Sequence, residues 1–222
     1  MESGWMAADT SKVAVAQLES QGERRRAQLV AITAHLVVTR GVDFVTHATV
    51  AAGAGCARTL VYRYFPTRED LLVAIPETYA AIYASRIGAD EAAASIHAAA
   101  NARRGQTPAT THRLAERIWS PEDWNPGALE LRMAMLIITT DRDIARDLRE
   151  SSGRLEPLTN SELSAPLRTL GLSDIEIAIV RDTMLAGYYR AVAAALAGTI
   201  TREEAIELTC RVNLAAIRML LR

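Results

Sequence analysis

The sequence predicts an all-α protein: an N-terminal three-helix unit containing a helix-turn-helix, then a larger C-terminal helical part. Three observations carry that prediction. Alanine, the best helix former and a poor strand former, occupies 40 of the 222 positions. Apolar residues recur at helical spacing, and no stretch alternates as a half-buried strand would. Capping residues, prolines and glycines punctuate the chain where helices would begin and end. With 50% hydrophobic residues, a chain of this length can bury a genuine core.

Residues 1–19 mix Gly, Ser, Ala and isolated acids without a sustained period, and are expected to form a flexible arm. Ser20-Gln21-Gly22-Glu23 reads as a capping box, in which the Ser hydroxyl and the Glu carboxylate each satisfy an orphan N–H. It predicts a helix over 21–40 with Leu29, Ile32 and Leu36 on one face, stopped by Gly41. Thr46 caps a short second helix to about Ala52, and Ala54-Gly55 breaks it. A third short helix runs from about Ala57 to Tyr64, where Pro66-Thr67 ends it. Thr67 caps a fourth, whose first turn carries Glu69 and Asp70 against the positive helix end. Short helices joined by a glycine turn make the helix-turn-helix pattern. The predicted organisation is an arm over 1–19, a helix-turn-helix domain over 20–67 and a helical domain over 68–222.

Further starts follow. Thr107-Pro108, Ser120-Pro121 and Asn125-Pro126 each set a capping residue before a Pro at the first helical position. Two more capping boxes, Ser173 with Glu176 and Thr201 with Glu204, open long helices near 174–197 and 202–221. Pro76 lies one turn into the fourth helix, where it removes a hydrogen bond and crowds the carbonyl near Leu72. A kink or a restart is expected there.

The net charge of −1 hides an asymmetry: residues 23–72 carry +3, and the segments on either side carry −2 each. A positive segment in an acidic chain points weakly to nucleic acid. The two cysteines, Cys56 and Cys210, and the four histidines, His35, His47, His97 and His112, make no metal-ligand spacing. Neither a metal nor a cofactor is expected. No phosphate loop, nucleophile elbow or His-Glu-x-x-His is present, which argues against an enzyme. Arg190 interrupts the best apolar run, 188–200, and residues 1–22 do not read as a secretion signal. A cytoplasmic protein with no membrane partner is expected.

The stretch 50–72 resembles the DNA-binding signature of TetR-family (tetracycline-repressor-like) transcriptional regulators. Ala54-Gly55, Tyr62, Phe65, Arg68 and Leu71 stand in register with that family's turn, Tyr-x-x-Phe helix end, basic residue and leucine. The resemblance implies that Thr46, Tyr62, Tyr64 and Arg68 position the DNA backbone, while Arg58, Thr59 and Leu60 sit where the family reads bases. Arg24, Arg25 and Arg26 would add phosphate or minor-groove contacts. Residue chemistry agrees: cations, a hydroxyl and phenols on one short helix suit a major groove. Ala57 replaces the usual Ser or Thr cap, Leu60 replaces a small polar residue, and Arg68 replaces the common Lys.

The resemblance also implies a C-terminal domain that binds a small molecule and forms a homodimer. The helix near 174–197 carries Ile175, Ile179, Leu185, Tyr189, Val192 and Leu196, and that near 202–221 carries Ile206, Leu208, Val212, Ala216 and Leu220. Two copies of the pair would form a four-helix bundle. Large adaptable side chains, Tyr79, Tyr83, Trp119, Trp124, Met133, Met135 and Tyr188, are candidates to line a ligand site. His97, His112, Glu116 or Arg132 would orient a polar group. The implied function is a repressor on a palindromic DNA operator, released by an apolar or amphipathic effector. The alternative is a helical dimeric scaffold or nucleoid-type protein with sequence-blind, salt-sensitive DNA affinity and no ligand response.

Overall fold

A computed structural model describes residues 5–86, 88–103, 105–153 and 164–221. These residues form helices and connecting turns, with no strand among them. In chain order the helices are α1 (Trp5–Arg40), α2 (His47–Ala54), α3 (Arg58–Tyr64), α4 (Arg68–Arg86), α5 (Ala89–Asn101) and α6 (Ala109–Ile118). Then come α7 (Pro126–Thr140), α8 (Arg142–Ser152), α9 (Ser164–Thr169), α10 (Asp174–Leu196) and α11 (Arg202–Leu220). Single 3₁₀ turns at Val42–Phe44 and Pro121–Asp123 follow α1 and α6.

The helix-turn-helix forms for the local reasons its residues suggest. The Thr46 N–H donates to Thr49 Oγ1 at 2.9 Å, and the Thr49 N–H donates back to Thr46 Oγ1 at 3.1 Å, a reciprocal cap on α2. Gly55 ends α2 at φ 59°, a left-handed conformation that suits glycine. Gly53 lets α2 approach α1, since a Cβ there would stand 2.8 Å from Ile32 Cγ2. Ala57 precedes α3 with no side-chain cap, as its chemistry requires. The Thr67 hydroxyl and Asp70 carboxylate cap α4 reciprocally: the Thr67 N–H donates to Asp70 Oδ2 at 3.0 Å, and the Asp70 N–H donates to Thr67 Oγ1 at 3.1 Å.

One apolar core continues from the helix-turn-helix into the larger part. Leu29, Val50, Val61, Phe65 and Leu71 pack in the same cluster as Trp119, Met133, Leu136, Val192 and Ile206. Helix α1 lies against α2, α4 and α7, so it bridges the two regions. A second cluster of Ile96, Leu167, Ile177, Val180, Leu214 and Ile217 joins α5, α9, α10 and α11. Helices α10 and α11 pack closely because Gly187 leaves room for Val212. Both helices begin with the expected capping boxes, at Ser173 and Thr201. No helix among the described residues is long and apolar enough to cross a membrane.

Three boundaries differ from the sequence expectation. Helix α1 begins at Trp5, so Ser20 lies inside it and does not open it; residues 1–4 of the expected arm lie outside the described residues. The segment 5–19 lacks a period but is rich in good helix formers, and a period reports burial rather than helicity. Thr107 does not cap α6: Pro108 is itself the residue before the helix, with ψ 142°. Ser120-Pro121 opens only a 3₁₀ turn, because Asn125-Pro126 restarts the chain as α7, with Asn125 Oδ1 accepting from the Ala128 N–H at 3.1 Å. Pro76 is buried inside α4, which runs through it as one helix, so of the two expected effects the restart does not occur.

Candidate functional site

Helix α3 divides its seven residues sharply. Val61 is buried in the core, with Phe65 beside it at the helix end, while Arg58, Thr59, Tyr62 and Arg63 are exposed. Leu60 and Tyr64 are half-buried, and a Cβ on Gly22 of α1 would stand 3.8 Å from the Tyr64 hydroxyl. Thr46 is exposed at the start of α2, where the helix end leaves free N–H groups for an anion. Cations, hydroxyls and a phenol thus share a surface made by α3 and the start of α2, chemistry suited to base edges and phosphates.

Other sequence candidates are already engaged. Arg68 donates from Nε to the Val45 carbonyl at 2.9 Å and from Nη2 to the Val42 carbonyl at 2.8 Å. Its guanidinium therefore ties α4 to the turn after α1. Arg26 lies 5.2 Å over the Phe65 ring and 3.8 Å from the Glu77 carboxylate, turned towards α3 and α4. Arg25 donates to Gln28 Oε1 at 2.7 Å along α1. Arg24 is exposed.

Behind this surface, the structure places a residue that sequence reading did not single out. His47 is buried at the first position of α2, and its ring stacks on that of Tyr62 with centroids 3.8 Å apart and planes 11° from parallel. Its only signal in the sequence is its place next to the Thr46 cap.

Four of the ligand candidates, Tyr79, Trp119, Trp124 and Tyr188, converge in the larger part, around Arg132. Trp119 is fully buried and donates its Nε1–H to Thr209 Oγ1 at 2.8 Å. Trp124 meets it edge-on at 5.7 Å, and Tyr188 is tilted against it at 5.3 Å. The Arg132 guanidinium sits 5.2 Å over the Trp119 ring, close enough for a cation–π contact. Arg132, 5% exposed, donates to Asp123 Oδ2 at 2.9 Å and to the Tyr188 hydroxyl at 3.2 Å. The Tyr188 hydroxyl in turn lies 3.1 Å from that of Tyr79 on α4.

The electrostatics of the cluster follow from burial. Burial pushes the Tyr188 hydroxyl above its ordinary value and keeps it neutral. Burial works against the Arg132 charge, but Tyr188, Tyr79 and Asp123 outweigh it and hold the guanidinium above its ordinary value. Met133 and Met135 are buried core residues of α7. The Tyr83 side chain lies outside the described residues. His97, His112 and Glu116 stand apart from the cluster: His97 Nε2 is 3.2 Å from Thr169 Oγ1, and His112 pairs with Glu116 at 3.6 Å.

Comparison with known proteins fits this geometry. Residues 29–75 match the family described as bacterial regulatory proteins, tetR family. A TetR-like transcriptional regulator from Rhodococcus sp. RHA1 superposes with a TM-score of 0.53 at 13% identity, covering 87% of this chain and 95% of that one. A TetR family transcription regulator from Marinobacter aquaeolei VT8 gives a TM-score of 0.54 at 17% identity, over 89% and 97% of the two chains. At such identities the likeness establishes the fold, an N-terminal helix-turn-helix followed by a helical domain. No curated protein matches the chain.

Proposed function

We propose that the chain, whose residues 29–75 match the tetR family of bacterial regulatory proteins, is a regulator of that kind, which represses transcription from a palindromic operator and leaves that operator when a small molecule binds. The observation that carries the reading is the division of α3: Val61 and Phe65 anchor it while Arg58, Thr59, Tyr62 and Arg63 face water. A helix held by its inner residues presents the others rigidly, and rigidity is what base readout needs.

One copy of so short a reader contacts few base pairs, so a dimer on a two-fold site is the natural arrangement. In support, Ile175 and Ile179 on α10 and Met219 on α11 are large apolar side chains left exposed, at 72%, 43% and 58%. The effector site is the cluster of Tyr79, Trp119, Trp124, Arg132 and Tyr188. Its aromatic faces favour an apolar body, and Arg132 with Tyr188 favours a polar end, hence an amphipathic molecule. Tyr79 links the cluster to α4, the helix that leaves the reader. In this reading the protein performs no catalysis.

The test is selection from a random-sequence duplex library by the purified full chain at near-physiological salt. Enrichment of one palindrome, lost with Arg58→Ala or Tyr62→Ala, supports the reading. Uniform, strongly salt-dependent recovery favours the sequence-blind scaffold instead. Native mass spectrometry of the same sample detects an effector carried through purification.

A further inference from the structure

We propose that His47 is a positioning residue for DNA binding, holding the Tyr62 ring in the orientation in which it meets the duplex. The proposal rests on the reading of α3 as the DNA-contacting helix. Two rings and one carbonyl set the geometry.

His47 Nε2 lies 2.7 Å from the Phe65 carbonyl oxygen. A carbonyl only accepts, so Nε2 carries the hydrogen and the tautomer is settled by its partner. Phe65 is the residue that ends α3, where carbonyls lose their helical partners. The His47 ring therefore binds the first residue of α2 to the last turn of α3, across the Gly55 turn. With one edge of its ring fixed in this way and the residue 8% exposed, His47 has little freedom to rotate.

That fixed ring is a platform. The Tyr62 phenol lies flat on it, with centroids 3.8 Å apart and planes 11° from parallel, yet Tyr62 remains 47% exposed. A tyrosine this exposed on a seven-residue helix would otherwise sample several rotamers. Ordering a rotamer-rich side chain only on binding weakens affinity by roughly threefold to tenfold. The stack removes that ordering step while leaving Tyr62 nearly half exposed to meet the duplex. A second line of constraint comes from Thr46: its reciprocal cap with Thr49 sets the backbone from which His47 projects.

Each function of His47 has its own substitution. His47→Phe keeps a stacking ring and loses the donor; His47→Asn keeps a donor and loses the stack; His47→Ala loses both. The probe is a mixed-sequence 24-base-pair duplex at low salt, where phosphate contacts dominate and no operator is needed. In the full chain, the His47 ring protons are expected to resonate upfield in the proton NMR spectrum and to lose that displacement in Tyr62→Leu. His47→Asn and His47→Ala are expected to weaken duplex binding threefold to tenfold, with His47→Phe close to the parent. Against a Tyr62→Ala background, His47→Ala should cost nothing further.

The outcomes separate the two ideas. No duplex binding at low salt overturns the DNA-binding reading, and this proposal with it. Binding unchanged by Tyr62→Ala removes Tyr62 from the contact and overturns the proposal. A His47→Ala loss of equal size with and without Tyr62 makes His47 a cap on α3 only. His47 is likewise only a cap if His47→Phe weakens binding as much as His47→Asn and both track the melting temperature.

Discussion

The hydroxyls of Tyr79 and Tyr188 meet at 3.1 Å, joining α4, which leaves the helix-turn-helix, to α10 at the centre of the larger part. Arg132 can only donate, so its 3.2 Å contact makes the Tyr188 oxygen an acceptor and frees the Tyr188 O–H to point at Tyr79. A single polar chain thus runs from Asp123 through Arg132 and Tyr188 to α4. A molecule that displaces Tyr188 takes that partner away from Tyr79.

The buried ion pair at the head of this chain sets the first expectation. The Arg132 and Asp123 side chains are 6% and 15% exposed, so removing the carboxylate leaves a buried charge without its counterion. Asp123→Ala should destabilise the protein by about 3 kcal/mol in urea unfolding. Arg132→Met added to Asp123→Ala should recover most of that loss, because a neutral side chain needs no partner. Equal destabilisation in the double variant would show that packing around Trp119, rather than charge, holds the site.

Two glycines are expected to be intolerant of one added methyl. A Cβ at Gly53 meets Ile32 of α1, and one at Gly187 falls inside the Val212 side chain of α11. Gly53→Ala and Gly187→Ala should each cost about 1–3 kcal/mol, since a packed helix crossing resists expansion. Ile32→Ala should rescue the first and Val212→Ala the second, in thermal melts of the double variants. Failure of rescue would place the cost in the backbone instead.

How legible these features are depends on how far apart the partners lie in the chain. The caps at Thr46, Asn125, Ser173 and Thr201 act between residues three apart, so their chemistry stands in plain view in the sequence. The turn at Gly55 is equally readable. By contrast, His47 meets Phe65 18 residues away, and Tyr79 meets Tyr188 across 109 residues. Aromatic residues of the middle region can be nominated for the cluster, but nothing local selects Asp123 as the counterion of Arg132. The start of α1 escapes a reading by period, because good helix formers can make a helix where no apolar period marks one.

Arg58 within the reader and Arg68 just beyond it should part company. Arg68 is bonded to the Val45 and Val42 carbonyls, so Arg68→Ala should lower stability by about 1–2 kcal/mol. Arg58 is exposed on α3, and Arg58→Ala should leave the melting temperature within a degree or two. Its cost should fall on the selected palindrome instead, about 1–3 kcal/mol with relaxed preference at one position per half-site. Fluorescence anisotropy on the palindrome and a mismatched duplex, beside a thermal melt, checks both. A stable Arg68→Ala protein with lost DNA affinity would make Arg68 a direct phosphate contact.

The two thiols should also differ. Cys210 is fully buried, and burial, with Glu207 and Glu116 nearby, pushes it up from 9.0 to about 11. A thiol held neutral and out of water reacts slowly, because the thiolate is the nucleophile. Native protein at pH 8 should therefore release one equivalent in a thiol titration, from the partly exposed Cys56, and two after unfolding. Since the folded value is the higher one, the stability present below pH 9 should decline as the pH rises towards 11. Rapid release of both thiols at pH 8 would mean that α11 opens readily.

Pro76 lies in α4 between the helix-turn-helix and Tyr79 of the cluster. It is buried inside α4, and because proline has no N–H, the Leu72 carbonyl receives no helical bond from residue 76. Tyr79 stands three residues further on, bonded to Tyr188. A helix lacking one internal bond bends there at lower cost than elsewhere, so a displacement of Tyr79 should be absorbed as a change of angle at Pro76. That angle sets how the helix-turn-helix is carried, and hence the spacing of two readers in a dimer. Pro76→Ala restores the donor and stiffens the joint. The variant should keep the DNA affinity of the ligand-free protein but lose most of the effector response, a coupling typically worth about 1–3 kcal/mol. The measurement is the ratio of palindrome affinities with and without the effector identified by mass spectrometry. An unchanged ratio in Pro76→Ala would leave the proline as a packing feature and move the search for the joint to the contact between α1 and α7.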